Sequence, residues 1–195
     1  MIKAGQSDMR KRLFDLIIIL FATIIFFVPF ILIYLVVKFT SPGPAIYWSR
    51  RVGEQRSFFM MPKFRSMRFD TPELATDKLV NPERYLTGIG SFLRRTSLDE
   101  LPQIFSVLRG DMSIVGPRPA LYNQHDLIAK RQRLGIDRLR PGITGWAQIN
   151  GRDDIALREK IELDHHYLQQ QSIRFDLKIL ILTVTAVLRS KGVKH

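Results

Sequence analysis

The chain has 195 residues, 46% of them apolar, with 30 Lys and Arg against 18 Asp and Glu, a net charge of +12, and no cysteine. Its length suits one domain of ordinary size, and the lack of cysteine excludes disulfide scaffolds, thiolate nucleophiles, Cys-ligated zinc and Cys-held iron–sulfur clusters. A strongly basic chain seeks anions, which leaves nucleic acid, anionic lipid headgroups and phosphorylated small substrates as candidate partners.

Residues 16–37, LIIILFATIIFFVPFILIYLVV, form a run of 22 without a charge. As one helix this run would reach about 33 Å, enough for a hydrocarbon core of about 30 Å. A cleavable signal peptide fits less well, because the run exceeds the roughly 7–15 residues of an h-region and no small-x-small site follows. Pro29 leaves 13 apolar residues before it and eight after it, each too few to cross, and proline in a helix removes a hydrogen bond and kinks the chain. Lys3, Arg10, Lys11 and Arg12 precede the run, and Lys38, Arg50 and Arg51 follow it. Since Lys and Arg mark cytoplasmic flanks, these residues fit a segment that enters and leaves by one face, and equally a kinked spanning helix. After residue 37, 26 basic and 16 acidic residues keep a charge of +10, so the body itself is basic and is attracted to an anionic leaflet. The division is a membrane-inserted segment with its flank, 1–40, and a catalytic or binding body, 41–195.

Ser41-Pro42-Gly43-Pro44 is a turn cluster that ends the membrane segment. Residues 45–52 and 57–64, rich in aromatic and aliphatic side chains and separated by Gly53-Glu54-Gln55-Arg56, predict a β-hairpin. Residues 68–88 read as a surface loop with at most one helical turn. The spacing of Leu98, Leu101, Ile104, Phe105 and Leu108 predicts a helix closed by Gly110. Further helices are predicted over 121–134, over 155–168 with Asp153 or Asp154 opening it, and over 175–188. The last is apolar on nearly every face but too short to span, so it is buried or interfacial. The fold class is α+β and helix-dominated, with one small hairpin and several amphipathic or interfacial helices.

Candidate chemistry concentrates in Arg94-Arg95-Thr96-Ser97-Leu98-Asp99-Glu100-Leu101-Pro102-Gln103. Ser97 and Glu100 have capping-box spacing, which would set Asp99 and Glu100 at a helix N-terminus, where free N–H groups and the helix dipole favour carboxylates and phosphates. On spacing alone they fit better as two helix-start residues. In Gly116-Pro117-Arg118-Pro119 two prolines stiffen the backbone around one arginine, a good arrangement for phosphate recognition. Arg140-Pro141-Gly142-Ile143-Thr144-Gly145 is a weaker loop signal, able to bring backbone N–H groups near an anion. Asp153-Asp154 could be a metal-binding pair but fits a helix start better, and adjacent His165-His166 do not share a helical face. Neither G-x-x-x-x-G-K-[ST] nor G-x-G-x-x-G occurs, which counts against P-loop and dinucleotide enzymes.

Taken in order, the membrane segment, SPGPAIYWSRRVG, PKFRSM, RRTSLDELPQIFSVLRGDMSIVGPRP, RPGITGWAQINGR and ELDHHYL resemble the bacterial sugar transferases, the small monotopic phosphoglycosyl transferases, over nearly the whole chain. The SLDELPQ…GDMS…GPRP block is the most specific part. The resemblance implies transfer of a sugar-1-phosphate from a UDP-sugar to a polyprenyl phosphate such as undecaprenyl phosphate, with release of UMP, at the cytoplasmic face of the bacterial inner membrane. By motif match Asp99 would be the nucleophile that forms an aspartyl-phosphosugar, and Glu100 would help hold Mg²⁺. Arg94 and Arg118 would contact phosphate, with Lys63 of the hairpin in support. It further implies a re-entrant membrane helix broken at Pro29, contacts with membrane lipids, no nucleic-acid partner, and a homodimer in some relatives. One departure stands at the break, where many relatives carry Ser-Pro and this chain has Val28-Pro29; valine cannot satisfy a carbonyl freed by the kink. Two other readings fit part of the sequence. One is a membrane-tethered basic protein that binds nucleic acid or anionic lipid, and the other is a metal-dependent glycosyltransferase working through Asp153 and Asp154 and releasing UDP.

Overall fold

A computed structural model describes residues 2–72, 81–151 and 155–188. Helix α1 (Ile2–Thr40) is 39 residues long with Pro29 inside it. Among the described residues it is the helix long and apolar enough to cross a membrane. The helix is not divided at Pro29: its backbone stays helical through the proline, which cannot donate to the preceding turn, a loss that allows a kink without ending the helix. Two stretches of α1 dock on the body, through Asp15 and Ile19 and again through Ile33 and Val37, all buried. Between them Leu20, Phe21, Ile24, Ile25, Phe27 and Val28 are exposed, a contiguous apolar surface that a water-facing helix would not carry. Past its end, Arg65 gathers the turn by donating to the Ser41 carbonyl and hydroxyl and to the Pro42 carbonyl, a cation at a helix C-terminus where it is favoured.

Strands β1 (Ile46–Val52) and β2 (Phe58–Phe64) form the expected antiparallel hairpin, with Val52 opposite Phe58 and Tyr47 opposite Lys63. Among the described residues of the predicted surface loop, a 3₁₀ turn stands at Pro82–Tyr85. Helix α2 (Gly90–Thr96) was not legible in the sequence. The predicted helix over 98–108 is a 3₁₀ segment, Leu98–Gln103, continued by α3 (Ile104–Arg109), and Gly110 closes it at φ +93° as expected. Strand β3 (Ser113–Val115) then leads through the Gly-Pro-Arg-Pro loop into β4 (Ala120–Leu121), which pairs with β1 to make a three-stranded sheet in the order β2-β1-β4. This pairing takes Leu121 away from the predicted second helix over 121–134, and α4 spans His125–Arg133. Strand β5 (Gly142–Thr144) runs parallel to β3. Helix α5 (Trp146–Asn150) follows, then α6 (Leu157–Gln170) and α7 (Ile173–Leu188). Asp153 and Asp154 lie outside the described residues, and the residue before α6 is Ala156.

Burial explains the arrangement. Ile19 of α1, Met61 of β2, Val107 of α3, Met112, Val115 of β3, Tyr167 of α6 and Ile179 of α7 share one cluster. A second joins Ile33 and Val37 of α1 to Phe64 and Leu93, and a third packs Ala120, Leu127, Ile136 and Ile161. Strand β2 contributes to two of these, so Lys63, between Met61 and Phe64, stands on a rigid base. Helix α7 is not buried all round: Asp176 and Ile179 are buried, while Leu177, Ile181 and Val184 are exposed.

Candidate active site

The acidic pair sits where α2, the 3₁₀ segment and β2 converge. Ser97 closes α2 in the left-handed region at φ +57°, a geometry incompatible with the extended backbone of an N-cap, and makes no side-chain cap. The predicted capping box therefore does not form; Glu100 N–H instead donates to the Ser97 carbonyl at 3.2 Å. Asp99 and Glu100 occupy the first turn of a six-residue 3₁₀ segment, which has little dipole to offer an anion. Charge comes from side chains.

Glu100 Oε1 accepts from Lys63 Nζ at 2.7 Å and from Arg118 Nη1 at 3.2 Å. Burial alone would raise the Glu100 pKa, but the charges and hydrogen bonds of Lys63 and Arg118 outweigh it and hold the carboxyl well below its ordinary range. Asp99, 8% exposed, behaves oppositely. Burial pushes its pKa up to about 6 and the neighbouring Glu100 charge adds to the rise, against the opposing pull of Lys63, Arg94 and Arg118. Two adjacent carboxyls are thus driven apart, one firmly ionised and one poised near neutrality, a pattern that marks reactive pairs. Arg94, in the last turn of α2, also contacts Met67 Sδ at 3.2 Å. All five residues singled out in the sequence for this chemistry, Lys63, Arg94, Asp99, Glu100 and Arg118, meet at one place.

The loop that carries Arg118 is fixed by three neighbours. The Pro117 carbonyl accepts from Gly142 N–H at 2.9 Å, the Arg118 carbonyl from Arg131 Nη1 at 2.8 Å, and the Pro119 carbonyl from Arg51 Nη1 at 3.1 Å. Gly116 and Gly142 let the two backbones approach so closely that a Cβ on either would overlap the other's main chain. This use of Gly142 N–H removes the suggested anion nest in the 140–145 loop, and Arg140 bonds Glu54 at 3.0 Å. Sequence reasoning missed Arg131 and Arg51; neither lies in a pattern that signals its partner. His166 packs against Trp146 and Phe175, and His165 Nε2 meets Gln169 at 2.9 Å.

Among the described residues no three His, Asp or Glu side chains gather as a metal cage. Mg²⁺, however, is commonly held by one or two carboxylates together with substrate phosphates and water, and the Asp99–Glu100 pair, ringed by cations that phosphate would engage, fits that donor set.

Residues 6–190 match the family model for the bacterial sugar transferases, and the chain belongs to that family. Its relatives include the sugar transferase EpsL of Bacillus subtilis, 40% identical over 95% of this chain and 90% of that protein. The exopolysaccharide production protein ExoY of Sinorhizobium fredii is 36% identical over 95% and 88%. The UDP-glucose:undecaprenyl-phosphate glucose-1-phosphate transferase of Escherichia coli is 40% identical over 93% of this chain but only 40% of its own length.

Proposed function

We propose that this protein transfers a sugar-1-phosphate from a UDP-sugar to undecaprenyl phosphate, the reaction named for its Escherichia coli relative with glucose as the sugar. The observation that carries the reading is the divergent acidic pair among three cations. Asp99, whose raised pKa reflects poor solvation of its charge, is the nucleophile. One carboxylate oxygen bonds to the phosphorus that bears the sugar as the bond from that phosphorus to the bridging oxygen breaks, and UMP departs with that oxygen. The phosphate oxygen of the polyprenyl acceptor then attacks the same phosphorus, and the Asp99 carboxylate leaves unchanged. Splitting the transfer in two lets one pocket serve both phosphorylated partners in turn. Arg118, Arg94 and Lys63 are aimed at the charge that accumulates on the phosphoryl oxygens, and preorganised donors of this kind commonly supply the largest part of catalysis. Glu100 holds Lys63 and Arg118 in place and would share a bound Mg²⁺, which when present neutralises phosphate charge and polarises the phosphoryl group.

The acceptor's phosphate cannot leave the headgroup region, so the pair must lie near the membrane plane. We read α1 as re-entrant. Both of its docked stretches rest on the same body while residues between them are exposed, and basic residues flank both ends, as expected for a segment that enters and leaves on the cytoplasmic side. The body, from residue 41 onward, is then the cytoplasmic catalytic domain.

Product analysis tests the reading. Detergent-solubilised protein with Mg²⁺, undecaprenyl phosphate and a panel of UDP-sugars is expected to release UMP from one donor in an acceptor-dependent manner at steady state. Release of UDP would instead indicate glycosyl transfer and overturn the proposal.

A further inference from the structure

Arg131 of α4 is 8% exposed and Asp164 of α6 is 2% exposed, and the bonds they make are to each other and to the Arg118 main chain. Arg131 donates from Nε and Nη2 to Asp164 Oδ2 at 3.0 and 2.7 Å, and from Nη1 to the Arg118 main-chain carbonyl at 2.8 Å. A buried ion pair is a poor source of stability, since apolar residues of similar volume often serve as well. This pair does something an apolar pair cannot, because its third donor holds the peptide that follows Arg118. Pro117 and Pro119 have no N–H, so the loop cannot order itself by bonds of its own there. Its consecutive carbonyls are instead tied to β5, α4 and β1, and the α4 tie falls on Arg118 itself. That bond fixes the peptide plane beside the Arg118 Cα, and with it the line along which the side chain leaves toward Glu100, where Nη1 reaches Oε1 at 3.2 Å.

We infer that Arg131 and Asp164 are positioning residues for phosphosugar transfer, acting through the Arg118 carbonyl to aim its guanidinium. The inference rests on the proposed function and adds to it residues that no phosphate would touch. Because the bond is to main chain, it is indifferent to the side chain at 118, whereas its effect on catalysis requires that side chain to be arginine.

A double-mutant cycle on the full chain tests this. The exchange Arg131→Met with Asp164→Leu removes the tie without leaving one charge buried alone. It is expected to lower kcat/KM for the UDP-sugar, measured as UMP release, by about 10- to 50-fold, as misplacement of a substrate-positioning group does, while thermal unfolding stays close to wild type. In an Arg118→Ala background the same exchange is expected to cost less than about 2-fold, since sites that act through one group are not additive. Asp164→Asn, which keeps size and shape, is read in the same cycle should the exchange not fold, with a smaller loss that again disappears in the Arg118→Ala background. Equal losses in both backgrounds, or no loss in the wild-type background, would overturn the inference while UMP release by the parent protein leaves the proposed function standing. A parent that releases no UMP from any UDP-sugar overturns both.

Discussion

Two buried groups of carboxylates in this fold are balanced in opposite ways. At the candidate site, two acids face three cations: Asp99 and Glu100 against Lys63, Arg94 and Arg118. Under α1, two acids share one cation: Lys11 Nζ lies 2.8 Å from Asp176 and 3.5 Å from Asp15. There the deficit is met inside the fold, by Tyr167 Oη at 2.8 Å from Asp176 and by the Ile114 N–H at 3.4 Å from Asp15. Burial, with Asp15 adding its charge, keeps the Asp176 pKa above its ordinary value despite Lys11, and the Tyr167 hydroxyl is held far from ionising, first by burial and then by Asp176. The lesson is one of completion. The cluster under α1 is held by the Lys11 ion pairs and by hydrogen bonds, and ties the membrane helix to α6 and α7, while among the described residues the site sets three cations beside two carboxyls, where an arriving polyanion would be attracted.

The comparison predicts that the same kind of change has different consequences in the two places. Asp99→Asn is expected to lower turnover by about 10³-fold or more, as loss of a covalent nucleophile does, with membrane association unchanged; UMP release and vesicle flotation check the two halves. Asp176→Ala is expected to act on stability, by about 1–3 kcal/mol, because it leaves the half-buried Lys11 without its closest partner and the Tyr167 hydroxyl without its carboxylate acceptor; thermal unfolding in detergent measures it, and a wild-type midpoint would remove the claim that this cluster fastens α1. Arg118→Ala is expected to lower kcat/KM by about 10²-fold, the scale for one preorganised donor, without altering membrane association.

The smallest effect sharpens the contrast through pH. Asp99 has a folded pKa of about 6, above its ordinary 3.8, so the fold favours its protonated form. In this window the native state binds more protons than the unfolded state, and the contribution of Asp99 to stability is present at acidic pH and is lost as pH rises through about 6. Asparagine at 99 cannot ionise. In chelator-treated samples the variant is therefore expected to exceed wild type in unfolding temperature near pH 7.5, with the gap closing toward pH 4. A pH-independent gap would show that burial of the Asp99 charge is not the cause.

Much of this was legible before any coordinates, and the reasons differ by element. The hairpin announced itself by two apolar runs around Gly53-Glu54-Gln55-Arg56, and Gly110 by its place after a helical period. The acidic pair and its arginines were found because their motifs are contiguous. Ser97 misled because capping-box spacing says nothing of the preceding helix, whose left-handed end Ser97 supplies. Strands β3, β4 and β5 have two or three residues each, too few to show a period. Arg131 and Asp164 are 33 positions apart, and Lys11 and Asp176 lie near opposite ends of the chain. Only packing joins such pairs, so no local pattern could have announced them, although Asp164 falls inside the ELDHHYL motif.

The central claim is that Asp99 carries the phosphosugar covalently between donor and acceptor. The most direct test mixes protein, Mg²⁺ and a UDP-sugar labelled in the sugar, without any polyprenyl phosphate, and follows UMP and protein-bound label over the first turnover. A burst of about one UMP per active site, as expected for a covalent intermediate that accumulates, with label on a peptide containing Asp99, released by hydroxylamine and absent from Asp99→Asn, is the predicted result. UMP formed only when the acceptor is present, with no label on the protein, would mean direct transfer between the two substrates and would contradict the account.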